Sequence, residues 1–258
     1  MRNIAIITGA SSGLGREFVK HIDAGEAGPI DELWVIARRA ERLEALERTC
    51  ATPTRSFALD LTDPASFDAL DEAVAAAGDI NVALLINNAG FGSFGDFALQ
   101  SHVDTACMVK LLMQAPVELM YRMLPFMHGG SRIINIASVA AFVPQPRLAV
   151  YAAAKRFILD LTRALDAELG EVDIHATAVC PKFMKTEFLD APGDADAAQR
   201  MTAIGFEQAT DVVRAALTAS RAGKSLCIPS LDMRAYYAAS RVLPYKALLA
   251  IERRLGVL

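Results

Sequence analysis

The stretch NIAIITGASSGLG, residues 3–15, carries a short apolar run directly into a glycine-rich turn. Its first six residues, 3–8, are typical of a buried β-strand, and a helix is expected to begin near Gly13. Glycines let a backbone approach a pyrophosphate closely, and a helix N-terminus offers free N–H groups and the positive end of its dipole. Between a first strand and a first helix, such a turn predicts a dinucleotide-phosphate loop; a tight turn without a ligand is the alternative interpretation. The loop residues are Gly9, Ser11, Ser12, Gly13 and Gly15, the two serines adding hydroxyl donors.

Short apolar runs alternate with amphipathic stretches along the rest of the chain. Strands that are apolar almost throughout belong in a parallel sheet covered on both faces, and each needs a helical crossover to the next. With right-handed crossovers, this order predicts an α/β fold: a doubly wound, Rossmann-type parallel sheet of about seven strands with helices on both faces. The expected strands are residues 3–8, 32–38, 55–60, 82–90, 131–138, 173–180 and 225–229.

The helical stretches and loops fall within one predicted domain, residues 1–258, because no linker composition interrupts it. Asp63 is the expected cap of the third helix, and Pro64 its first helical position. Residues 185–205 are expected to form an irregular substrate-loop insertion, and residues 231–258 a C-terminal helical tail. The first helix is expected to begin near Gly13. The other helices are expected to span residues 40–50, 101–127, 148–169 and 209–223.

The bulk composition limits the classes of function. Of 258 residues, 53% are apolar and 22% are charged, which is enough to build a large buried core. The net charge is −4 and basic residues are interleaved with acidic ones, so no nucleic-acid surface is predicted. No secretory signal and no apolar run of about 18 residues is present, so a cytoplasmic protein without a membrane span is expected.

The cysteines and histidines are scattered singly along the chain. Their spacings match neither a disulfide framework nor a zinc-binding pattern, so free thiols in a reducing compartment and no metal site are predicted. The cysteines are Cys50, Cys107, Cys180 and Cys227, and the histidines are His21, His102, His128 and His175.

The end of the second strand predicts which dinucleotide binds. A carboxylate there would hydrogen-bond the adenosine 2′-hydroxyl and repel a 2′-phosphate. The sequence instead reads IARRA, with Ala37 at the acidic position, followed by Arg38 and Arg39. Because guanidinium groups form charge-assisted hydrogen bonds with phosphate, the pattern predicts NADP(H). Arg38 is the expected contact with the 2′-phosphate, whereas Arg39 is compatible with simple solvation. The alternative interpretation is that both arginines only form the exposed start of the next helix.

Further motifs follow in an order and spacing that resembles the short-chain dehydrogenase/reductase family, of the classical type. They are LDLTD around Asp60, NNAG at residues 87–90, INIAS ending in Ser138, and YAAAK from Tyr151 to Lys155. A looser match, CPKFMKTEF, follows the sixth strand. The resemblance covers essentially the whole chain, and several motifs in order are far more specific than any one. By spacing alone, the tyrosine and lysine would only be one helical turn apart, as in many ordinary helices.

The resemblance implies an NADP(H)-dependent oxidoreductase that interconverts a ketone or aldehyde and an alcohol by hydride transfer. It implies that Ser138 orients the substrate oxygen, Tyr151 is the general acid/base, and Lys155 tunes Tyr151 and binds the nicotinamide ribose. Because a phenol with a pKa of about 10 is a poor acid/base near neutral pH, the nearby ammonium and the positive nicotinamide of the oxidised cofactor are together expected to lower the pKa of Tyr151. The residues it places at the cofactor are Gly9, Ser11, Ser12, Gly13, Leu14, Gly15, Arg38, Asp60, Leu61, Asn88, Ala89, Gly90, Tyr151, Lys155, Pro181 and Thr186.

Two positions depart from the family pattern. Leu112, twenty-five residues after Asn87, stands where the family usually has an asparagine that holds a water in a proton relay from the lysine. Either the relay runs through Gln114 or a backbone carbonyl, or turnover is impaired and the chain is an NADP(H)-binding sensor or scaffold. Lys182 stands where the family commonly has glycine after Pro181, and its ammonium is expected in solvent rather than near the cofactor phosphates.

The segments expected around the nicotinamide are apolar and predict a hydrophobic substrate, from an aryl ketone to a steroid-like ring system. For any one of these side chains, a place in the core is the alternative. They are Phe91, Phe94, Phe97, Phe142, Val143, Pro144, Phe183, Met184 and Phe188.

The C-terminal tail interleaves cations with leucine and tyrosine. Packing against the domain is the expected role, and a lid, an oligomer contact or an interfacial membrane helix are the alternatives. The apolar faces near residues 101–127 and 148–169 predict a homodimer or homotetramer, as the resemblance implies. The cations of the tail are Arg234, Arg241, Lys246, Arg253 and Arg254.

Overall fold

Seven parallel strands form one sheet in the computed structural model, which describes residues 1–187 and 205–254. The strands are β1 (Arg2–Thr8), β2 (Glu32–Ala37), β3 (Thr54–Ala58), β4 (Ile80–Asn87), β5 (Arg132–Ile136), β6 (His175–Val179) and β7 (Leu226–Cys227). Their spatial order is β3-β2-β1-β4-β5-β6-β7, with every neighbouring pair parallel. The predicted doubly wound parallel sheet is therefore confirmed.

Helices cover both faces of this sheet. The helical stretch predicted over residues 101–127 is continuous through its two α-helical parts, because one π-helical turn (Lys110–Gln114) joins them. In the described part of the chain, the α-helices are α1 (Gly13–Asp23), α2 (Ala40–Thr49), α3 (Ala65–Ala77), α4 (His102–Val109), α5 (Ala115–Met123), α6 (Ala149–Leu169), α7 (Ala209–Arg221), α8 (Leu231–Ser240) and α9 (Tyr245–Arg254).

The hydrophobic core consists of two large clusters, one on each face of the sheet, and residues of β1 belong to both. Successive strand side chains point to opposite faces, so a strand covered on both sides has to be apolar throughout. Ala5 and Ile7 face α1, α2 and α7, whereas Ile4 and Ile6 face α3 and α5. This double burial explains why NIAIIT carries no polar alternation.

The sheet reverses its winding between β1 and β4, which are hydrogen-bonded neighbours. After β1 the chain crosses to β2 on one side, and after β4 it crosses to β5 on the other. The loops that leave the carboxyl ends of these two strands therefore diverge and open a crevice, the usual ligand position in such sheets.

Two local expectations are refined at helix ends. Helix α3 begins at Ala65 rather than at Pro64, and Asp63 caps it by accepting a hydrogen bond from the Ala65 N–H at 3.0 Å. The predicted tail is two helices rather than one, because Pro244 has no N–H to continue α8 and instead precedes α9.

The predicted insertion at 185–205 lies mostly outside the described residues, as do residues 255–258 of the predicted tail. Among the helices described, none has both the length and the apolar character required to cross a bilayer.

A buried polar network ties the centre of the sheet to α6. Asn87 Nδ2 donates to Asn135 Oδ1 at 2.8 Å, and Asn135 Nδ2 donates to Thr162 Oγ1 at 2.9 Å. Asn135 and Thr162 are fully buried, so each lost partner would leave a polar group without solvent access.

Asn135→Leu is expected to lower the free energy of unfolding by about 2–4 kcal/mol, because it leaves the buried Asn87 amide without its acceptor and removes the donor to the Thr162 hydroxyl, which keeps only its bond to the Ile158 carbonyl. Urea denaturation followed by circular dichroism measures the change. Ile133→Val on the same strand is the control and should cost about 1 kcal/mol. Equal losses in the two variants would show that the network contributes nothing beyond packing.

Candidate active site

The turn between β1 and α1 is shaped by contacts that leave no room for a side chain. Gly9 has a φ of +68°, which residues with a Cβ rarely adopt, and a Cβ there would lie 2.7 Å from Asn88 Nδ2. A Cβ on Gly15 would lie 2.2 Å from the Gly9 carbonyl oxygen. These two glycines therefore let the start of α1 and the end of β4 close directly onto the turn.

Thr8, which the sequence analysis did not single out, joins the turn to the end of β4. Its buried hydroxyl donates to the Ile86 carbonyl at 3.3 Å and accepts from the N–H groups of Asn88 at 2.9 Å and Ala89 at 3.0 Å. Asn88 Nδ2 in turn donates to the Thr8 carbonyl at 2.9 Å. A lone polar residue closing an otherwise apolar strand was the available signal for this role.

A cleft of about 590 Å³ runs along the crevice between the diverging loops. Arg38, Asp60 and Leu61 line one end of it, and Ser138, Tyr151 and Lys155 line the other. Every residue predicted at the cofactor lines this cleft except Gly15, whose place is in the close contact with Gly9.

The residues present fit an elongated dinucleotide. The glycine turn at the N-terminus of α1 forms the middle of the cleft, where backbone N–H groups suit a pyrophosphate. Thr186 lies over this turn, since a Cβ on Gly13 would come within 3.3 Å of the Thr186 Cβ. A nicotinamide dinucleotide would thus be held by the turn, with its two ends at Asp60 and at Tyr151.

Three buried side chains converge at the second end of the cleft. Ser138 follows β5, while Tyr151 and Lys155 lie one turn apart on α6. The Tyr151 hydroxyl hydrogen-bonds the Ser138 side chain, and Ser138 Oγ also accepts from the Ala140 N–H at 3.2 Å. Lys155 Nζ donates to the Ile136 carbonyl at 2.6 Å and lies 5.6 Å from the centre of the Tyr151 ring. The cluster holds a phenol, a hydroxyl and an amine around one point.

Burial controls the ionisation of this cluster. Loss of solvent raises the pKa of Tyr151 to about 12, although the hydrogen bond with Ser138 opposes the shift. Loss of solvent also lowers the pKa of Lys155 to about 8. The expected lowering of the Tyr151 pKa is not seen in the protein alone, because desolvation of the phenolate outweighs the hydrogen bond with Ser138.

Leu112 is buried in the π-helical turn beside Gly90 and Lys155. Its Cδ2 is 2.7 Å from where a Gly90 Cβ would stand, and that same point is 3.9 Å from Lys155 Nζ. Gln114, the substitute relay group suggested by the sequence, is exposed and does not line the cleft, whereas Lys155 is buried, so the geometry does not favour a relay through Gln114. Of the alternatives, a backbone carbonyl remains consistent with the geometry, and π-helical turns often occur at functional sites.

Two cationic side chains, those of Lys182 and Arg39, form contacts within the protein. Lys182 is largely buried and its Nζ forms an ion pair with Asp232 of α8 at 2.7 Å, so the expectation of a solvated ammonium is wrong. Arg39 is also not simply solvated, because it donates to Ser11 and Ser12 of the glycine turn and to Glu187. Arg38 is exposed and lines the same end of the cleft.

Of the apolar side chains expected around the nicotinamide, Phe91, Phe183 and Met184 line the cleft. Phe94 is buried behind them, with its ring centre 6.5 Å from that of Phe183. Phe97 is 65% exposed, so its predicted place in the pocket wall is wrong. The other expected wall residues are Phe142 and Val143, which are buried, Pro144, which is exposed, and Phe188, which lies outside the described residues.

The C-terminal helices pack on the loop between Ser138 and Tyr151. The Phe142 ring centre is 4.8 Å from that of Tyr237, and Glu252 accepts hydrogen bonds from the Tyr236 hydroxyl and from Gln145 Nε2. Packing, the expected role of the tail, is thus seen in its described part. The partners Gln145 and Glu252 were not predicted, since nothing in the local sequence of either residue indicates a contact.

Comparison with known proteins agrees with this geometry. A model of the family described as short chain dehydrogenase matches residues 3–196. Sulfoacetaldehyde reductase from Chromohalobacter salexigens is 32% identical over 198 residues, covering 73% of this chain and 75% of that protein.

Two solved structures share the fold over nearly the whole chain. A short-chain dehydrogenase from Sphingobium yanoikuyae in complex with NADPH is 29% identical, with a TM-score of 0.78, covering 92% of this chain and 91% of that one. The bulky-bulky ketone specific alcohol dehydrogenase from Comamonas testosteroni is 25% identical, with a TM-score of 0.74, covering 96% and 94%. The family model, the relatives and the sheet order agree: the chain is an oxidoreductase of the short-chain dehydrogenase/reductase family.

Proposed function

We propose that the protein is an NADP(H)-dependent oxidoreductase that interconverts a hydrophobic ketone or aldehyde and the corresponding alcohol. The observation that carries the proposal is the hydrogen bond between the Tyr151 hydroxyl and Ser138, with Lys155 one turn away, at one end of a dinucleotide-sized cleft. In this proposal, residues 1–258 act as one domain and these three residues are the catalytic set.

Nicotinamide, when bound, supplies or accepts the hydride. For carbonyl reduction, Ser138 donates a hydrogen bond to the substrate oxygen and fixes its position beside Tyr151. Tyr151 then transfers its hydroxyl proton to that oxygen as negative charge develops there. The ammonium of Lys155 stabilises the phenolate that remains, an effect strengthened by the burial of both groups.

The choice of NADP(H) rests on the phosphate end of the cleft. Ala37 leaves no carboxylate at the end of β2 to repel a phosphate, and Arg38 and Arg39 supply two guanidinium groups there. The Sphingobium yanoikuyae relative that carries NADPH supports the same choice.

The choice of a hydrophobic carbonyl rests on the walls of the other end. Phe91 and Phe183 offer apolar surface beside Tyr151, Met184 lines the same cleft, and the Lys182 ammonium is already paired with Asp232. The Comamonas testosteroni relative is specific for bulky-bulky ketones, which supports a bulky ketone substrate, whereas the Chromohalobacter salexigens relative reduces a small charged aldehyde. The apolar walls of the cleft are therefore the main support for a hydrophobic substrate.

A non-catalytic NADP(H) sensor or scaffold is the second candidate, and buried Leu112 is the observation that favours it. It requires tight NADPH binding without NADPH oxidation across a broad panel of ketones, and no gain of activity in Leu112→Asn. Turnover by the unaltered protein would exclude it.

Assembly into a homodimer or homotetramer is part of the proposal. Exposed apolar side chains lie on α4, α5 and α6, where pairing with another copy would remove them from water. They are Val103, Val109, Val117, Tyr121 and Phe157.

Tyr151→Phe is expected to lower kcat by about 10²- to 10⁴-fold, because the ring remains but the proton donor is lost. Steady-state oxidation of NADPH with an aryl ketone measures the loss, and fluorescence titration should show an NADPH Kd within about threefold of the original value. Tyr121→Phe, on an exposed tyrosine of α5, is the matched control. Unchanged turnover in Tyr151→Phe would remove the mechanism.

Ala37→Asp is expected to weaken NADPH binding by about tenfold or more while leaving NADH binding unchanged or tighter, since a carboxylate repels the 2′-phosphate and suits the 2′-hydroxyl. Titration with both cofactors measures the ratio of their Kd values. Ala37→Asn has nearly the same shape without the charge and serves as control. An equal loss for both cofactors in Ala37→Asp would indicate damage to the strand rather than repulsion.

Ketone reduction is expected to slow as the pH rises through about 8, because burial lowers the pKa of Lys155 to about 8 and a neutral amine no longer stabilises the phenolate. The charged form exists below that pKa, so the active limb lies on the acid side. A profile of kcat/KM between about pH 6 and 10 measures it.

Lys155→Arg, which stays charged throughout this range, should lack the descending limb whatever its absolute rate. A flat profile in the unaltered protein would contradict the assigned role of Lys155.

A further inference from the structure

The carboxylate of Glu187 lies between two guanidinium groups at the edge of the cleft. Arg39 Nη1 is 2.8 Å from Glu187 Oε2, and Arg42 Nη1 is 2.6 Å from Glu187 Oε1. All three side chains are between one third and one half exposed, so each pair is only partly shielded from solvent. One carboxylate oxygen thus faces each arginine.

The same cluster adjoins the glycine turn. Arg39 Nη2 donates to Ser11 Oγ at 3.0 Å and to Ser12 Oγ at 2.9 Å. Arg39 directly follows Arg38 at the end of β2, and Arg42 lies one turn further on in α2. Two guanidinium groups around one anion, one of them held by the hydroxyls of the glycine turn, form the donor set expected for a phosphate, yet the anion here belongs to the chain itself.

We infer that Glu187 is a specificity-determining residue: it competes with the adenosine 2′-phosphate of NADP(H) for Arg39 and Arg42. The inference deepens the proposed NADP(H) preference and rests on it. A phosphate dianion arriving at these arginines would be repelled by the carboxylate and must displace it, whereas NADH, which has only a 2′-hydroxyl there, leaves the ion pairs intact. Glu187 therefore reduces the affinity for NADPH selectively.

The competition operates at any working pH. Hydrogen bonds from Arg42 and Arg39 lower the pKa of Glu187 to about 2, so the carboxylate remains charged. Glu187 also has other cationic neighbours, because it lines a second, open cavity of about 520 Å³ together with Arg16 and Lys185. These cations reduce the cost of displacing Glu187 without removing it, because both ion pairs with Arg39 and Arg42 are still lost.

The position of Glu187 connects this exchange to the rest of the cleft. It directly follows Thr186, which lies over Gly13 of the glycine turn. Two residues before Thr186, Met184 is held by a β-bridge to Glu207. Release of the arginines by Glu187 would therefore act within three residues of this fixed point, next to the residue that lies over the glycine turn.

The test compares Kd values for NADPH and NADH in the unaltered protein and in Glu187→Gln, measured by fluorescence titration. Each half-exposed ion pair is worth a factor of about 1.5 to 5 in an equilibrium constant, so Glu187→Gln is expected to tighten NADPH binding by about 3- to 10-fold. The NADH Kd should stay within about twofold. Glu41→Gln, an exposed carboxylate on the same helix as Arg42, should change neither value.

Arg39→Ala separates failure of this inference from failure of the proposed cofactor. If the unaltered protein prefers NADPH and Arg39→Ala abolishes the preference, but Glu187→Gln leaves NADPH binding unchanged or weakens both cofactors equally, the inference is overturned and the NADP(H) assignment stands. If the unaltered protein binds NADH as tightly as NADPH and Arg39→Ala changes neither, both are overturned. Glu187→Ser repeats the measurement should Glu187→Gln lack a native circular dichroism spectrum.

Discussion

Among the described glycines, the closest contacts are those of Gly9 and Gly15 with each other and with Asn88, where β1, α1 and β4 meet. A Cβ on either glycine would overlap a backbone oxygen or the Asn88 amide, so the three elements can approach this closely only without side chains. Thr8 fixes the contact by bonding both backbone N–H groups at the end of β4. Because the sheet reverses its winding at this point, the same contact positions the two ends of the cleft relative to each other.

Burial controls the electrostatics at one end of the cleft, and partly exposed ion pairs control them at the other. At the catalytic end, burial dominates: it weakens Tyr151 as an acid and makes Lys155 easier to deprotonate. A cation bound beside the phenol would oppose the first shift, which makes the ionisation of the cluster sensitive to the redox state of a bound nicotinamide. At the end lined by Arg38 and Arg39, the charges are half exposed and individually weak, so the proposed discrimination between cofactors would depend on how many anions share Arg39 and Arg42.

The features predicted correctly from the sequence are those that depend on short local patterns. The apolar run of β1, the glycine turn and the spacing of Tyr151 and Lys155 each lie within one short stretch, and the structure places them as expected. The errors involve contacts between distant segments. Arg39 and Glu187 are 148 positions apart, and Lys182 and Asp232 are 50 apart, so neither pairing has a local signature. The direction of the Tyr151 pKa shift depends on burial by the whole fold, which spacing on one helix cannot report.

Hydride transfer in this cleft is tested most directly by following a labelled hydride. The purified protein would be given NADPH carrying deuterium at the transferable C4 position together with an aryl ketone, and the alcohol product examined by mass spectrometry. If Ser138, Tyr151 and Lys155 form a working catalytic set, deuterium will appear on the carbinol carbon while the hydroxyl proton comes from solvent. Tight binding of NADPH with no deuterium transferred to any ketone of a broad panel would contradict the assignment.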